Sequence, residues 1–104
     1  MLLIALVLHV DIAEAQSTMI TGVVVDARTG NPLSGVLVTV EDQRIFTDTD
    51  AQGRFSLNAS SGTYTLTVSL VGYAFTRRQI AVGEAALEPL RIELSEGAGA
   101  LRNM

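Results

Sequence analysis

The chain contains no cysteine, no tryptophan, a single histidine and only two prolines among its 104 residues. Its basic residues are all arginine, so lysine is absent as well. Without cysteine there is no disulfide framework, no thiolate nucleophile and no sulfur ligand for a metal, so the fold must hold by packing alone. The one histidine, His9, falls in an apolar segment at the N-terminus. Beyond it the chain has neither an imidazole nor a thiol, the usual general bases and nucleophiles near neutral pH. The serines Ser56, Ser60, Ser61 and Ser69 therefore have no base to activate them, and no catalytic residue is assigned. Apart from Arg77-Arg78 the arginines are scattered, and the net charge is −4, which excludes a nucleic-acid footprint.

The N-terminal segment is set apart from the fold. Leu2 to Leu8 is unbroken and apolar, and Ala13-Glu14-Ala15 forms a small-x-small cleavage pattern before Gln16. The run falls far short of the roughly 20 apolar residues a membrane-spanning helix needs. Residues 1–15 thus read as an export signal, although no basic residue precedes the run and His9 and Asp11 interrupt its end. The remainder makes one small domain, with residues 16–18 as a short extension, 19–95 as the folded unit and 96–104 as a Gly/Ala-rich linker. That linker ends without a closing element, as if a larger protein continued beyond it. An exported protein, periplasmic, in the outer membrane or secreted, is the resulting expectation.

Period-two alternation dominates the rest. In Thr63 to Leu70 the residues Tyr64, Leu66, Val68 and Leu70 share one face, and Thr63, Thr65, Thr67 and Ser69 the other. The same alternation runs through Val36–Val40, Arg54–Leu57 and Leu90–Leu94, with further strands at Ile20–Val25, around Arg44–Thr47 and around Phe75–Val82. Turn formers separate these runs at short intervals, and only Gly83–Leu87 offers so much as one helical turn. The pattern predicts an all-β, seven-stranded antiparallel sandwich. In the first connection Asp26 is placed to accept N–H groups two and three residues on, Gly30 to take positive φ, and Pro32 to fix its own. Phe75 lies on the opposite parity from Ile80 and Val82. Either a bulge corrects the register or Phe75 stays exposed, on a strand whose arginines mark it as an edge.

The series Ile20-Thr21-Gly22-Val23-Val24-Val25-Asp26, Thr29-Gly30-Asn31-Pro32-Leu33-Ser34-Gly35-Val36, Thr47-Asp48-Thr49-Asp50-Ala51-Gln52-Gly53-Arg54-Phe55, Gly62-Thr63-Tyr64 and Val71-Gly72-Tyr73 resembles the carboxypeptidase regulatory-like domain. The resemblance covers residues 19 to 95. It implies a transthyretin-like Greek-key sandwich without a catalytic centre. It also implies the bacterial arrangement in which such a domain comes after a signal peptide and precedes the plug of a TonB-dependent outer-membrane receptor. Transthyretin-like folds include a purine-pathway hydrolase that relies on histidines, which this chain lacks.

Three candidate sites remain. Asp48 and Asp50 have the D-x-D spacing of part of a calcium loop, but Ala59 stands where the bidentate glutamate belongs. A hairpin turn with aspartate caps and Gly53 at positive φ accounts for them, so no metal and no cofactor is assigned. Of the aromatics, Phe55 and Tyr64 fall on inward faces, and Tyr73 should pack over the sandwich edge with its hydroxyl on the backbone. Phe46 and Phe75 are left as a thin platform for polysaccharide. Phe75, Arg77 and Arg78 form the candidate partner or ligand surface, for an unidentified protein of the periplasm or outer membrane. The expected function is non-catalytic docking or spacing, with a secreted carbohydrate-binding module as the alternative.

Overall fold

A computed structural model describes residues 17–83, 85 and 87–97. Residues 1–16, which include the expected export signal, residues 98–104 and part of the Gly83–Leu87 turn lie outside the described residues. Seven strands run in order: β1 (Thr18–Asp26), β2 (Leu37–Val40), β3 (Ile45–Asp48), β4 (Arg54–Ala59), β5 (Gly62–Ser69), β6 (Thr76–Val82) and β7 (Leu90–Leu94). They form a three-stranded sheet, β4-β1-β7, and a four-stranded sheet, β3-β2-β5-β6. The all-β sandwich is the architecture expected from the alternation.

One pairing departs from the antiparallel expectation. β1 and β7 run parallel, with Gly22 beside Leu90 and Asp26 beside Leu94. The other pairs are antiparallel. The cause is the connection after β6: the chain must cross from the four-stranded sheet back to the first, and it enters β7 in the direction of β1. Alternation within β7 reports only which face is buried, so it cannot reveal this direction.

Between the sheets lies a core built almost wholly from aliphatic side chains. Ile20, Val24, Val36, Val38, Val40, Leu66, Val68 and Leu94 are fully buried, with Phe55, Leu57, Ile80, Val82 and Ile92 nearly so. β1 is longer than predicted at both ends, because Thr18 pairs with Ala59 and Asp26 with Leu94. Phe55 fits inside only because Gly22 faces it. A Cβ there would stand 2.7 Å from the phenyl ring and 2.8 Å from the Leu90 carbonyl oxygen.

The loops are held by side chains as well as by backbone. Thr49 is buried; its Oγ1 accepts the Val36 N–H at 2.9 Å and donates to the Leu33 carbonyl at 2.7 Å. Gly53, at φ +76°, accepts the Val24 N–H through its carbonyl at 2.8 Å. The turn from Asp48 is thereby fastened to β1. Past β7, the Ser95 carbonyl accepts from the Ala74 N–H and the Gly97 N–H donates to the Gly72 carbonyl, so residues 95–97 stay tied to the turn before β6.

Candidate functional site

The outward face of the four-stranded sheet carries most of the exposed apolar bulk. Register places Phe46 of β3 beside Thr39 of β2, Thr39 beside Thr67 of β5, and Thr67 beside Arg77 of β6. These four side chains make one row straight across the sheet. In the next row Leu37 lies between Asp48 and Ser69. Phe75 shares its parity with Arg77 and stands at the end of that row, just before β6 begins. Phe46 is 66 % exposed, Phe75 59 % and Leu37 41 %. The other large apolar side chains exposed among the described residues are Met19, on the opposite sheet, and Val71, in the turn after β5. No bulge corrects Phe75, which stays outside.

Arg77 organises this face. Its guanidinium lies 5.6 Å from the centroid of the Phe75 ring, within cation–π range. Its Nε reaches the Glu41 carboxylate at 3.2 Å, diagonally across β5. Both groups are substantially exposed, so the pair does little for stability and more to fix where the arginine points. Arg78, one residue on, does not join them. It has the inward parity of Ile80 and Val82, and its Nη1 donates to the Arg91 carbonyl of β7 at 3.2 Å. Of the three residues Phe75, Arg77 and Arg78, the structure brings the first two together and sends the third to the side of the sandwich.

Asp48 and Asp50 are parts of the turn between β3 and β4. Asp50 Oδ1 accepts the N–H groups of Gln52 and Arg54, each at 2.9 Å. The Arg54 N–H, ahead of that of Gln52, holds the Asp50 carboxyl below its ordinary range. Asp48 is exposed at the end of β3, opposite Leu37. Among the described residues no three His, Cys, Asp or Glu side chains gather as a metal-binding group. Beside this turn an open groove of about 630 Å³ runs between Thr47 and Asp48 on one wall and Arg54, Ser56, Thr21 and Val23 on the other.

Asp26 does what its turn position predicts, and more. Oδ1 accepts the Arg28 N–H at 2.8 Å and the Thr29 N–H at 3.1 Å. Oδ2 accepts the Tyr73 hydroxyl at 2.7 Å. The expected backbone partner for Tyr73 is thus replaced by a carboxylate 47 positions away, since the turn Leu70–Tyr73 is brought over β1 by the Tyr73–Glu96 bridge. The tyrosine hydroxyl foremost, then the two N–H groups, lower the Asp26 pKa. The same bond, followed by burial, raises that of Tyr73. This constellation is a fastening between two turns, its acid committed to three donors.

Sequence reasoning named Phe46 and Phe75 but missed Leu37, Thr39, Thr67 and Glu41 as their neighbours. Parity alone marks all of them as outward. Their grouping needs the cross-strand register, which no single strand carries.

The family model for the CarboxypepD_reg-like domain matches residues 20–104. The chain belongs to this family. No curated protein sequence matches it. Among solved structures, the CarboxypepD_reg-like domain superposes on a chain of the type II cohesin–X-dockerin complex from Acetivibrio cellulolyticus, in an N-terminal interface mutant. The TM-score is 0.63 at 22 % identity, over 77 % of this chain and 58 % of the other. A C-terminal interface mutant of that complex gives 0.58 at 23 %, with the same coverage. This likeness concerns the fold, and the domain spans under three-fifths of the length of those chains. No helix among the described residues is long and apolar enough to cross a membrane.

Proposed function

We propose that this domain is a non-catalytic, exported docking module that binds or spaces a protein partner through the outward face of its four-stranded sheet. The observation that carries the reading is that Phe46, Leu37, Phe75 and Arg77 all lie on this one face, with Thr39, Thr67 and Ser69 between them across the sheet. Apolar side chains clustered on a surface, with an arginine among them, are the usual make-up of an interface centre. The threonine row gives a flat floor against which a partner can pack. The absence of histidine and cysteine after His9 favours binding over chemistry. The fold likeness to a chain from a protein–protein complex agrees with this role.

The arrangement expected for this family, an export signal and then the sandwich, favours the N-terminal part of a TonB-dependent outer-membrane receptor working in the periplasm. A photocrosslinking residue placed at Phe46 or Phe75 should trap the same protein in cells, and one placed at Met19 should not. Equal trapping from Met19 would remove the face from consideration. Reading the gene past residue 104 tests the receptor separately, by whether a plug and barrel are encoded there.

The exposed rings of Phe46 and Phe75 also favour a second reading, a polysaccharide-binding module. Retention on insoluble polysaccharide that disappears in Phe75→Ala would establish it in place of protein docking.

A further inference from the structure

The sandwich has four strand edges, and three are unsuited to pairing. On β7 the Arg91 carbonyl accepts from Arg78 and the Ser95 carbonyl from Ala74, so two groups of that edge are already taken. β6 carries the exposed charges of Arg77 and Arg78, the latter reaching along the side of the sandwich to β7, and such charges discourage strand addition. β3 is four residues long and ends at Asp48.

β4 is different. The Val24 N–H donates to the Gly53 carbonyl, which sets the alternation of the strand. Gly53, Phe55, Leu57 and Ala59 turn their backbone groups toward β1, and Arg54, Ser56 and Asn58 turn theirs outward. Asp50 satisfies both groups of Arg54: its side chain takes the N–H and its own N–H donates to the carbonyl. Ser56 and Asn58 have no such partners among the described residues, and both side chains are exposed and uncharged. The edge thus offers two N–H and two C=O groups in register, unguarded by proline or bulge, and its one charged side chain, Arg54, stands at the start of the strand.

We propose that β4 is the edge through which two copies of this chain pair, antiparallel about Leu57. This goes beyond the docking face, which lies on the other sheet. The strand is self-complementary about that point. Ser56 of one copy lies opposite Asn58 of the other, twice, and each such pair exchanges both backbone hydrogen bonds. Leu57 meets Leu57, and Phe55 falls opposite Ala59, so the inner apolar strip continues from one copy into the next. Outside, Arg54 falls opposite Ser60, and no like charges face each other. The two three-stranded sheets become one sheet of six strands, and the least protected edge disappears into an isologous interface.

The test is the mass of the full chain by sedimentation equilibrium over a concentration series. A dimer is expected. Ser56→Pro should leave it monomeric, because the N–H removed points away from β1 and the β4–β1 ladder survives. Ser56→Lys with Asn58→Lys sets lysine against lysine across the axis and should also give a monomer. Ser56→Lys with Asn58→Glu sets lysine against glutamate and should restore the dimer. Wild-type chain that stays monomeric throughout overturns the proposal, as does a dimer indifferent to the lysine–lysine pair. Should Ser56→Pro fail to fold, the two charge variants decide between them.

Discussion

The two open sides of the sandwich are finished in different ways. On the β6/β7 side, the chain crosses between sheets and is stitched down: Arg78 reaches the Arg91 carbonyl, Ala74 the Ser95 carbonyl, Gly97 the Gly72 carbonyl, and Tyr73 the Asp26 carboxylate. On the β3/β4 side the connecting turn is fixed by Thr49, Asp50 and Gly53, but the strand edges beyond it and the groove between them are left open. In a domain with no disulfide and a modest core, polar ties to backbone are what close the sandwich. Closing one side fully leaves the other able to present its edge.

The largest effect should come from the turn that anchors the open side. Gly53→Ala puts a Cβ 2.7 Å from the Val24 carbonyl oxygen and 3.1 Å from Leu33 N, at a φ of +76°. Those neighbours are backbone and cannot swing away. The combined strain and overlap should cost about 2–4 kcal/mol, read as a lower midpoint in urea unfolding. A loss under half that range would mean the turn is less firmly held than its hydrogen bonds imply.

Next in size is Thr49→Val, which keeps the shape of the side chain but leaves the buried Val36 N–H without an acceptor. A cost of about 1–3 kcal/mol is expected, with Thr49→Ser recovering most of it. If valine and serine behave alike, packing rather than the hydroxyl is what Thr49 supplies.

The stitched side should announce itself through pH. Asp26 is held below the ordinary carboxylate range, first by the Tyr73 hydroxyl. Its ionised form is therefore favoured in the folded state. The stability this gives is present above the unfolded-state pKa and is lost as pH falls through the depressed folded value. Tyr73, whose pKa is raised, contributes below its unfolded value of about 10 and loses that contribution as pH climbs through the folded one. In Tyr73→Phe the Asp26 carboxyl should titrate closer to its ordinary range, and the alkaline loss due to Tyr73 should vanish. An NMR titration of the Asp26 carboxyl carbon measures the first directly. Asp50 provides the control, since its backbone donors on the other side are untouched and its titration should stay put.

These contrasts bear on what the sequence could tell. Period-two alternation identified the strands and their buried faces, and Asp26, Gly30, Pro32 and Gly53 marked the turns, because both signals are local. The parallel partnership of β1 and β7 and the Tyr73–Asp26 bond were not legible. Each depends on how the chain crosses between sheets, and a strand's pattern is the same whichever way its neighbour runs. The candidate face shows the same limit. Phe46, Phe75 and Arg77 could be recognised as outward one at a time, yet only register puts Thr39 and Thr67 between them. Arg78 looked like the twin of Arg77, and its inward parity separates the two into a surface group and an edge guard.

The smallest effect on stability should come from that pair of arginines, and it sharpens the contrast most. Arg77→Ala and Arg78→Ala each remove an exposed guanidinium, and each should shift stability by no more than about 0.5 kcal/mol. Their consequences should nonetheless differ. Arg78→Ala uncaps the Arg91 carbonyl on β7, so strand pairing gains a second edge and the mass distribution should broaden past the dimer at high concentration. Arg77→Ala leaves Arg78 on β6 and its cap on the Arg91 carbonyl in place but frees the Phe75 ring and the Glu41 carboxylate, so the main change should be in trapping from the sheet face. If the two variants were indistinguishable in both sedimentation and crosslinking, the division between a guarded edge and a presented face would lose its physical basis.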